Sequence, residues 1–269
     1  MTLFCISIGL AILVLLVTGR RGSRVAGQQG DLVNPVNPHN EPNAVLRIAS
    51  LNIQYGRGED QRLDIQRTAS VLGECDFIAL QEVSGKRSLT QPNQAAALGS
   101  ILNMAWIFAP TKTRWFKPYV GNGALTNITV HRWFWRPLIQ NRGRSFRNMI
   151  ICEIELLGKN VTIINTHLHT HEGREEQMKQ VFRELTKYRR AILVGDFNTR
   201  PHDALLQELI RKSTAHDPFE NALDTTFSNT RVDWMLLKGL VATEVSVIEP
   251  GVSDHPALLA SLTLQPSLS

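Results

Sequence analysis

Residues 192–199, ILVGDFNT, constrain the fold more tightly than any other stretch: three apolar residues run unbroken into Gly195, Asp196, Phe197 and Asn198. An apolar run of this length bounded by a Gly reads as a strand buried on both faces, and such a strand can present polar side chains only where it ends. Side chains two apart on a strand point the same way. Asp196 and Asn198 are therefore expected to face one pocket while Phe197 turns into the core. Gly, Asp and Asn are also ordinary turn formers, so the reading depends on whether other strands end in the same fashion.

Several do. Residues 45–53 (VLRIASLNI) form an apolar strand that reaches Asn52 ahead of Gly56 and Gly58, and residues 77–80 run into Gln81 and Glu82. Residues 161–168 (VTIINTHL) end at His167, residues 231–237 (RVDWMLL) carry Asp233 near their start, and Ser253, Asp254, His255 and Pro256 precede a last strand over 257–264. Helices are expected between them. Ile65, Thr68, Ala69 and Leu72 share one face, as do Met178, Val181, Phe182 and Leu185 within 174–188; further helices are expected near 94–102 and after Pro201, His202 and Asp203, with strands near 105–110, 122–130 and 147–157. Alternating strands and helices make an α/β (α+β) chain. A lone Glu at a strand end is usually solvated, yet as one of several polar strand ends Glu82 is a candidate ligand for Mg²⁺, which takes one or two carboxylates and keeps its waters. His169 and His171 lack the Cys or carboxylate partners of a zinc site.

Charge is unevenly spread. Between Glu82 and Glu153 there is no acidic residue, while Lys86, Arg87, Lys112, Arg114, Lys117, Arg132, Arg136, Arg142, Arg144 and Arg147 are all basic, so a net charge of +5 divides into +10 for this segment and 5 − 10 = −5 for the rest. Trp106, Trp115, Trp133 and Trp135 lie in the same segment. Interleaved cations and rings can track a nucleic-acid backbone or rest on an anionic membrane; they can equally be loops with aromatics packed beneath. The three cysteines, Cys5, Cys75 and Cys152, sit in apolar runs without metal-type spacing and imply no disulfide framework.

Residues 2–19 carry no charge and are long enough, at about 1.5 Å per residue, to cross the hydrocarbon core as a helix. Arg20, Arg21 and Arg24 follow the run rather than precede it, which by the positive-inside rule places the remainder in the cytoplasm; cleavage after Ala26 or Gly27, with an exported domain, is the alternative. The expected organisation is a transmembrane anchor or uncleaved signal at 1–19, a basic then Pro/Asn-rich linker at 20–43, and a catalytic domain, expected to be monomeric, at 44–266.

LNIQYG, ALQEV, NTHLH, GDFN, VDWMLL and SDHPAL, in that order over about residues 46–264, resemble the endonuclease/exonuclease/phosphatase superfamily with its deoxyribonuclease I fold. GRGEDQRLDIQR, GNGALTN and the R-x-x-Q pair Arg174 and Gln177 are most similar to small bacterial members related to glycosylphosphatidylinositol lipid remodelling factors. The resemblance implies a four-layer αββα sandwich, two packed mixed sheets flanked by helices, and Mg²⁺-dependent attack of water on a phosphoester, with Mn²⁺ as a substitute. It implies that Glu82 is the main metal ligand, with Asn52 and Asp254 close to the ion or its waters. Asp196 would deprotonate the attacking water and Asn198 hold the phosphate; Asp233 would fix the tautomer of His255, and His167 would be a second phosphate-side histidine. Asn122 is implied to face substrate, with Arg147 beside it. Trp234 stands where the family commonly has Tyr, and Gln54 replaces an acid carried by abasic-site enzymes, which argues against abasic-site repair. The substrate stays open between nucleic acid, phospholipid (as for a sphingomyelinase) and inositol phosphate, and a non-catalytic binding scaffold is the rival reading.

Overall fold

The structure, a computed structural model, describes residues 20–22, 44–85, 93–114, 117–139, 146–220 and 229–266, with the side chains of 20–22 and 112–119 outside that description. Its strands are β1 (Arg20–Gly22), β2 (Leu46–Asn52), β3 (Phe77–Ser84), β4 (Ala105–Arg114), β5 (Lys117–Thr126) and β6 (Val130–Pro137). They continue as β7 (Asn148–Leu156), β8 (Lys159–His167), β9 (Ala191–Asp196), β10 (Asp233–Lys238), β11 (Leu240–Ile248) and β12 (Ala257–Leu264). The helices are α1 (Ile65–Ser70), α2 (Gln94–Leu102), α3 (Arg174–Thr186) and α4 (Ala204–Ser213).

Two mixed sheets result, β1-β4-β5-β3-β2-β12-β11 and β10-β9-β8-β7-β6, each with one parallel pair, β2/β3 and β8/β9. Alternation on single strands explains the layering. On β9, Ile192 and Val194 enter the core between the sheets, while Ala191 and Leu193 pack outward beneath α3 and α4 together with Phe197. On β2, Leu46 and Ile48 face the other sheet and Ala49 and Leu51 lie beneath α1 and α2. Helix, sheet, sheet and helix thus stack as four layers, and both parallel pairs read as apolar runs because neither face meets water.

The helices start where the sequence offers caps. Asp64 accepts from the backbone N–H groups of Gln66 and Arg67, Asn93 from Ala95, and Asp203 from Leu206. Two strand expectations change. The strand expected over 122–130 is interrupted, because the Thr126 hydroxyl bonds both N–H and C=O of Ile128, ending β5 and turning the chain into β6. β6, unread in the sequence, carries Trp133 and Trp135 toward the inter-sheet core, while Arg132 and Arg136 on its outer face pair with Glu153 and Glu184. These two cations are therefore neutralised locally. Arg20–Gly22, read as the start of a linker, pairs with β4. The expected membrane segment 2–19 lies outside the described residues; among those described, no helix is long and apolar enough to cross a membrane.

Candidate active site

The ends of β2, β3, β8 and β9 and the starts of β10 and β12 meet at one rim, where side chains from the two sheets touch. The Asn52 Nδ2 of the seven-stranded sheet donates to Asp196 Oδ2 of the five-stranded sheet at 3.1 Å. Below this contact lies a buried carboxamide layer: Gln81 Nε2 donates to Asn165 Oδ1 at 2.8 Å, and Asn165 Nδ2 donates back to the carbonyls of Leu80 and Gly123. Asn148 Nδ2 similarly bonds the carbonyls of Ala109 and Pro110. Every one of these bonds crosses between sheets, so the layer fixes the spacing of the rim's two halves.

Asp196 is central. It is 2% exposed, and its Oδ1 accepts from the Asn198 N–H at 2.8 Å. Its Oδ2 takes the Asn52 amide and His167 Nε2 at 3.3 Å, with His255 Nε2 at 3.9 Å. Burial and the neighbouring Asp233 carboxylate push its carboxyl up to about 7. Gly195 is required beside it: the backbone there has φ +132°, and a Cβ would come within 1.9 Å of the Thr166 carbonyl oxygen.

His255 and Asp233 form a tight dyad, Nδ1 to Oδ2 at 2.7 Å. Burial works against the imidazolium, but the Asp233 hydrogen bond and the surrounding carboxylates override it and raise His255 to about 9. Asp233 is itself pushed up by burial, opposed by its bond to His255. The turn carrying His255 is pinned by buried Ser253, whose hydroxyl donates to the Asn52 carbonyl at 2.5 Å. His167 has a defined tautomer. Its Nδ1 lies 3.2 Å from Arg147 Nη1, which can only donate, so the ring proton sits on Nε2 and points at Asp196.

Glu82 owes its position to a β-bulge. The β3/β5 register shifts between Leu80 and Val83, and Glu82 adopts φ +55°, a left-handed conformation that costs roughly 1–3 kcal/mol for a residue with a side chain. Burial raises its carboxyl, offset in part by Arg147 and His255. Positive φ recurs around it at Gln54, Tyr55 and Asn198, so local strain gathers at the rim.

Asn198, expected from strand alternation, and Asn122, implied by the resemblance, are placed differently from those expectations. Asn198 is not on the strand: β9 stops at Asp196, and the left-handed Asn198 turns its Nδ2 to the Leu168 carbonyl. Asn122 lies opposite the bulge but is 1% exposed, and its Nδ2 is taken by the Asn148 carbonyl and Oδ1, so it braces the sheets rather than offering a donor to substrate. Asp254 is at the exposed edge, accepting from Gln54 Nε2 at 2.9 Å. Arg147 joins the site through His167, and its Nε has no partner among the described residues. Sequence reasoning passed over the carboxamide layer, because a buried amide inside a strand looks like any polar residue until its partner is known, and it read Gln54 only as a departure from abasic-site enzymes, not as the donor to Asp254. It also missed the work of Arg174 and Gln177. Arg174 Nη1 donates to the Asn198 carbonyl at 2.7 Å and Gln177 Oε1 accepts from His169 N–H at 2.8 Å, fixing the two loops that leave β8 and β9.

The donor set fits a divalent cation. Asp196, Asp233 and His255 offer ligand atoms within 4.8 Å of one another. A proton already serves that trio, since His255 holds its charge against Asp233 at 2.7 Å. Glu82, outside that trio, is a further carboxylate whose charge burial opposes, with Asn52 and Asp254 nearby, and an added cation there would relieve that penalty.

A model of the endonuclease/exonuclease/phosphatase family matches residues 49–255. Similar solved structures include an endonuclease/exonuclease/phosphatase from Beutenbergia cavernae, 18% identical, covering 83% of this chain and 72% of that one with a TM-score of 0.69. The catalytic domain of human Nocturnin with bound sulfate is 16% identical over 91% of this chain and 100% of that one, TM-score 0.63. Zebrafish (D. rerio) TDP2 complexed with a single-strand DNA product is 14% identical over 82% and 100%, TM-score 0.59. No curated protein matches the chain.

Proposed function

The chain belongs to the endonuclease/exonuclease/phosphatase family, metal-dependent hydrolases of phosphoester bonds, and from that premise we propose that it is a membrane-tethered, Mg²⁺-dependent phosphodiesterase. The observation that carries this reading is the convergence of Glu82 and His255 from the side of the seven-stranded sheet with Asp196 and Asp233 from the five-stranded sheet, the Asp233–His255 dyad bridging the two. Glu82 would hold the ion, with Asn52 and Asp254 beside it or its waters; Mn²⁺ would serve in its place. When bound, the ion polarises a phosphoryl oxygen and neutralises the charge that shields phosphorus from a nucleophile.

The protein's own groups do the rest. Asp196, held near 7 and oriented by Asn198 N–H, His167 and Asn52, takes the proton of the attacking water at neutral pH. His255, kept as imidazolium by Asp233, donates to the phosphate as its oxygens gain charge. Arg147 supplies a second cationic donor and fixes the proton of His167, which is spent on Asp196 in this arrangement rather than free for phosphate. The tether is the uncharged run 2–19. Assayed on bis-p-nitrophenyl phosphate, Asp196→Asn is expected to lose at least about 10²–10⁴ in rate. An undiminished rate would remove Asp196 as the base.

A further inference from the structure

The cation half of the rim is held by a residue that belongs to neither sheet. The β2/β3 ladder ends with Asn52 opposite Gln81, and beyond that pair both chains turn left-handed: Gln54, Tyr55 and Gly56 have φ of 43°, 57° and 76°, and Glu82 has 55°. For residues with side chains, conformations this sparsely populated persist only where the surroundings over-determine them. Gln94, the first residue of α2 and 8% exposed, reaches both segments. Its Oε1 accepts from the Ser84 N–H at 2.8 Å, two residues past Glu82, and its Nε2 donates to the Tyr55 carbonyl at 2.5 Å. One carboxamide thus joins the two chains as a further peptide group of the ladder would.

The two bonds lead to all three residues proposed to surround the ion. Gln54, next to Tyr55, donates its backbone N–H to Asn52 Oδ1 at 3.1 Å and its Nε2 to Asp254 Oδ2 at 2.9 Å. On the other arm, Val83 and Ser84 resume pairing with β5 after the bulge that carries Glu82, so the bond to Ser84 fixes the far side of that bulge. Gly56 lets the carboxamide lie directly on the backbone, since a Cβ there would come within 2.7 Å of Gln94 Nε2. α2 does not depend on Gln94 for its start: Asn93 caps it by accepting from the Ala95 N–H at 2.8 Å, and Ala95 is buried in one cluster with Val83. The five-stranded sheet has a counterpart. Gln177, on the first turn of α3, accepts from the His169 N–H at 2.8 Å and donates to the Ile139 carbonyl at 3.0 Å. Each outer helix sends one glutamine to its own half of the rim.

We propose that Gln94 is the positioning residue of the cation half: one buried carboxamide that clasps both left-handed strand ends and, through them, holds Glu82, Asn52 and Asp254 together as one ligand set for a divalent cation. It touches neither ion nor substrate. The role of the ion rests on the hydrolase reading above, whereas the clasp between the strand ends rests on the hydrogen bonds alone. Removing a partner that orients metal ligands costs about 10–100-fold in metal affinity, which is the size of effect expected here.

The test titrates Mg²⁺ calorimetrically into the full chain and into Gln94→Leu, Asn93→Ala and Gln177→Leu. Gln94→Leu should raise the Kd for Mg²⁺ by about 10–100-fold. Asn93→Ala, which removes the α2 cap, and Gln177→Leu, which acts on the other half, should keep the Kd of the unmodified chain even where they lower its unfolding temperature. Should Gln94→Leu fail to fold, Gln94→Asn, whose carboxamide falls a methylene short of both partners, carries the same expectation. Without Mg²⁺, hydrogen exchange should quicken over 54–56 and 83–84 in Gln94→Leu and over 168–170 in Gln177→Leu, each leaving the other region as it was. An unchanged Kd in the Gln94 variants, an equal rise in Asn93→Ala, or exchange over 54–56 and 83–84 indifferent to Gln94 would overturn the proposal. If the unmodified chain takes up no Mg²⁺, the hydrolase reading falls instead, and the exchange pattern still decides whether Gln94 clasps the two strand ends.

Discussion

At the scale of residues, the site works by setting two neighbouring groups to opposite protonation states. Asp196 must be ionised to take a proton and His255 must hold one, and their environments place the first near 7 and the second near 9. The rate is therefore expected to rise with pH as Asp196 ionises and to fall as His255 loses its proton, a bell whose alkaline limb lies near 9. A bound cation favours the carboxylate, so the acid limb of the metal-loaded enzyme lies at or below about 7. Asp233→Asn should pull the alkaline limb down by removing the partner that raises His255, and cost about 10²–10⁴ in rate; a pH–rate profile checks both. Linkage has a definite sign here: the folded pKa of His255 exceeds its unfolded value of about 6.5, so its stabilising contribution is complete below that pH and is lost as pH rises through about 9.

Strands and helices deliver those residues, and their ends were more legible than their edges. Asn52, Glu82, His167, Asp196, Asp233 and His255 were readable because apolar runs stop where polar side chains begin, a one-dimensional signal. The bulge at Glu82 was not readable, since it depends on which residue of β5 lies opposite. Nor was the turn at Asn198, whose left-handed backbone breaks the alternation that would have faced it with Asp196. β6 hid among arginines because its polar face is neutralised by Glu153 and Glu184 from other elements. The contact of β9 with β8 is the tightest constraint in the site: Gly195→Ala would drive a Cβ into the Thr166 carbonyl, and is expected to cost more than about 3 kcal/mol by thermal or urea unfolding and to part Asp196 from His167. Gln177→Leu, which leaves the His169 N–H and the Ile139 carbonyl without their partner, should cost about 1–3 kcal/mol.

At the scale of the whole molecule, the sandwich is a device for holding two half-sites in register. Glu82 with Asn52 belongs to one sheet, Asp196 with His167 to the other, and the buried carboxamides Gln81, Asn165, Asn122 and Asn148 span the gap. Burial opposes the charge of Glu82, so Mg²⁺ held there should raise the unfolding temperature, more at pH 8 than at pH 5, because ionised ligands bind the ion. The most direct test is calorimetric titration of Mg²⁺ into the unmodified chain and into Glu82→Gln at neutral pH. Binding of an ion that Glu82→Gln abolishes is the expected result. Binding unchanged in Glu82→Gln would place the cation elsewhere, on the Asp196, Asp233 and His255 trio, and would contradict the division of labour between the two halves of the rim.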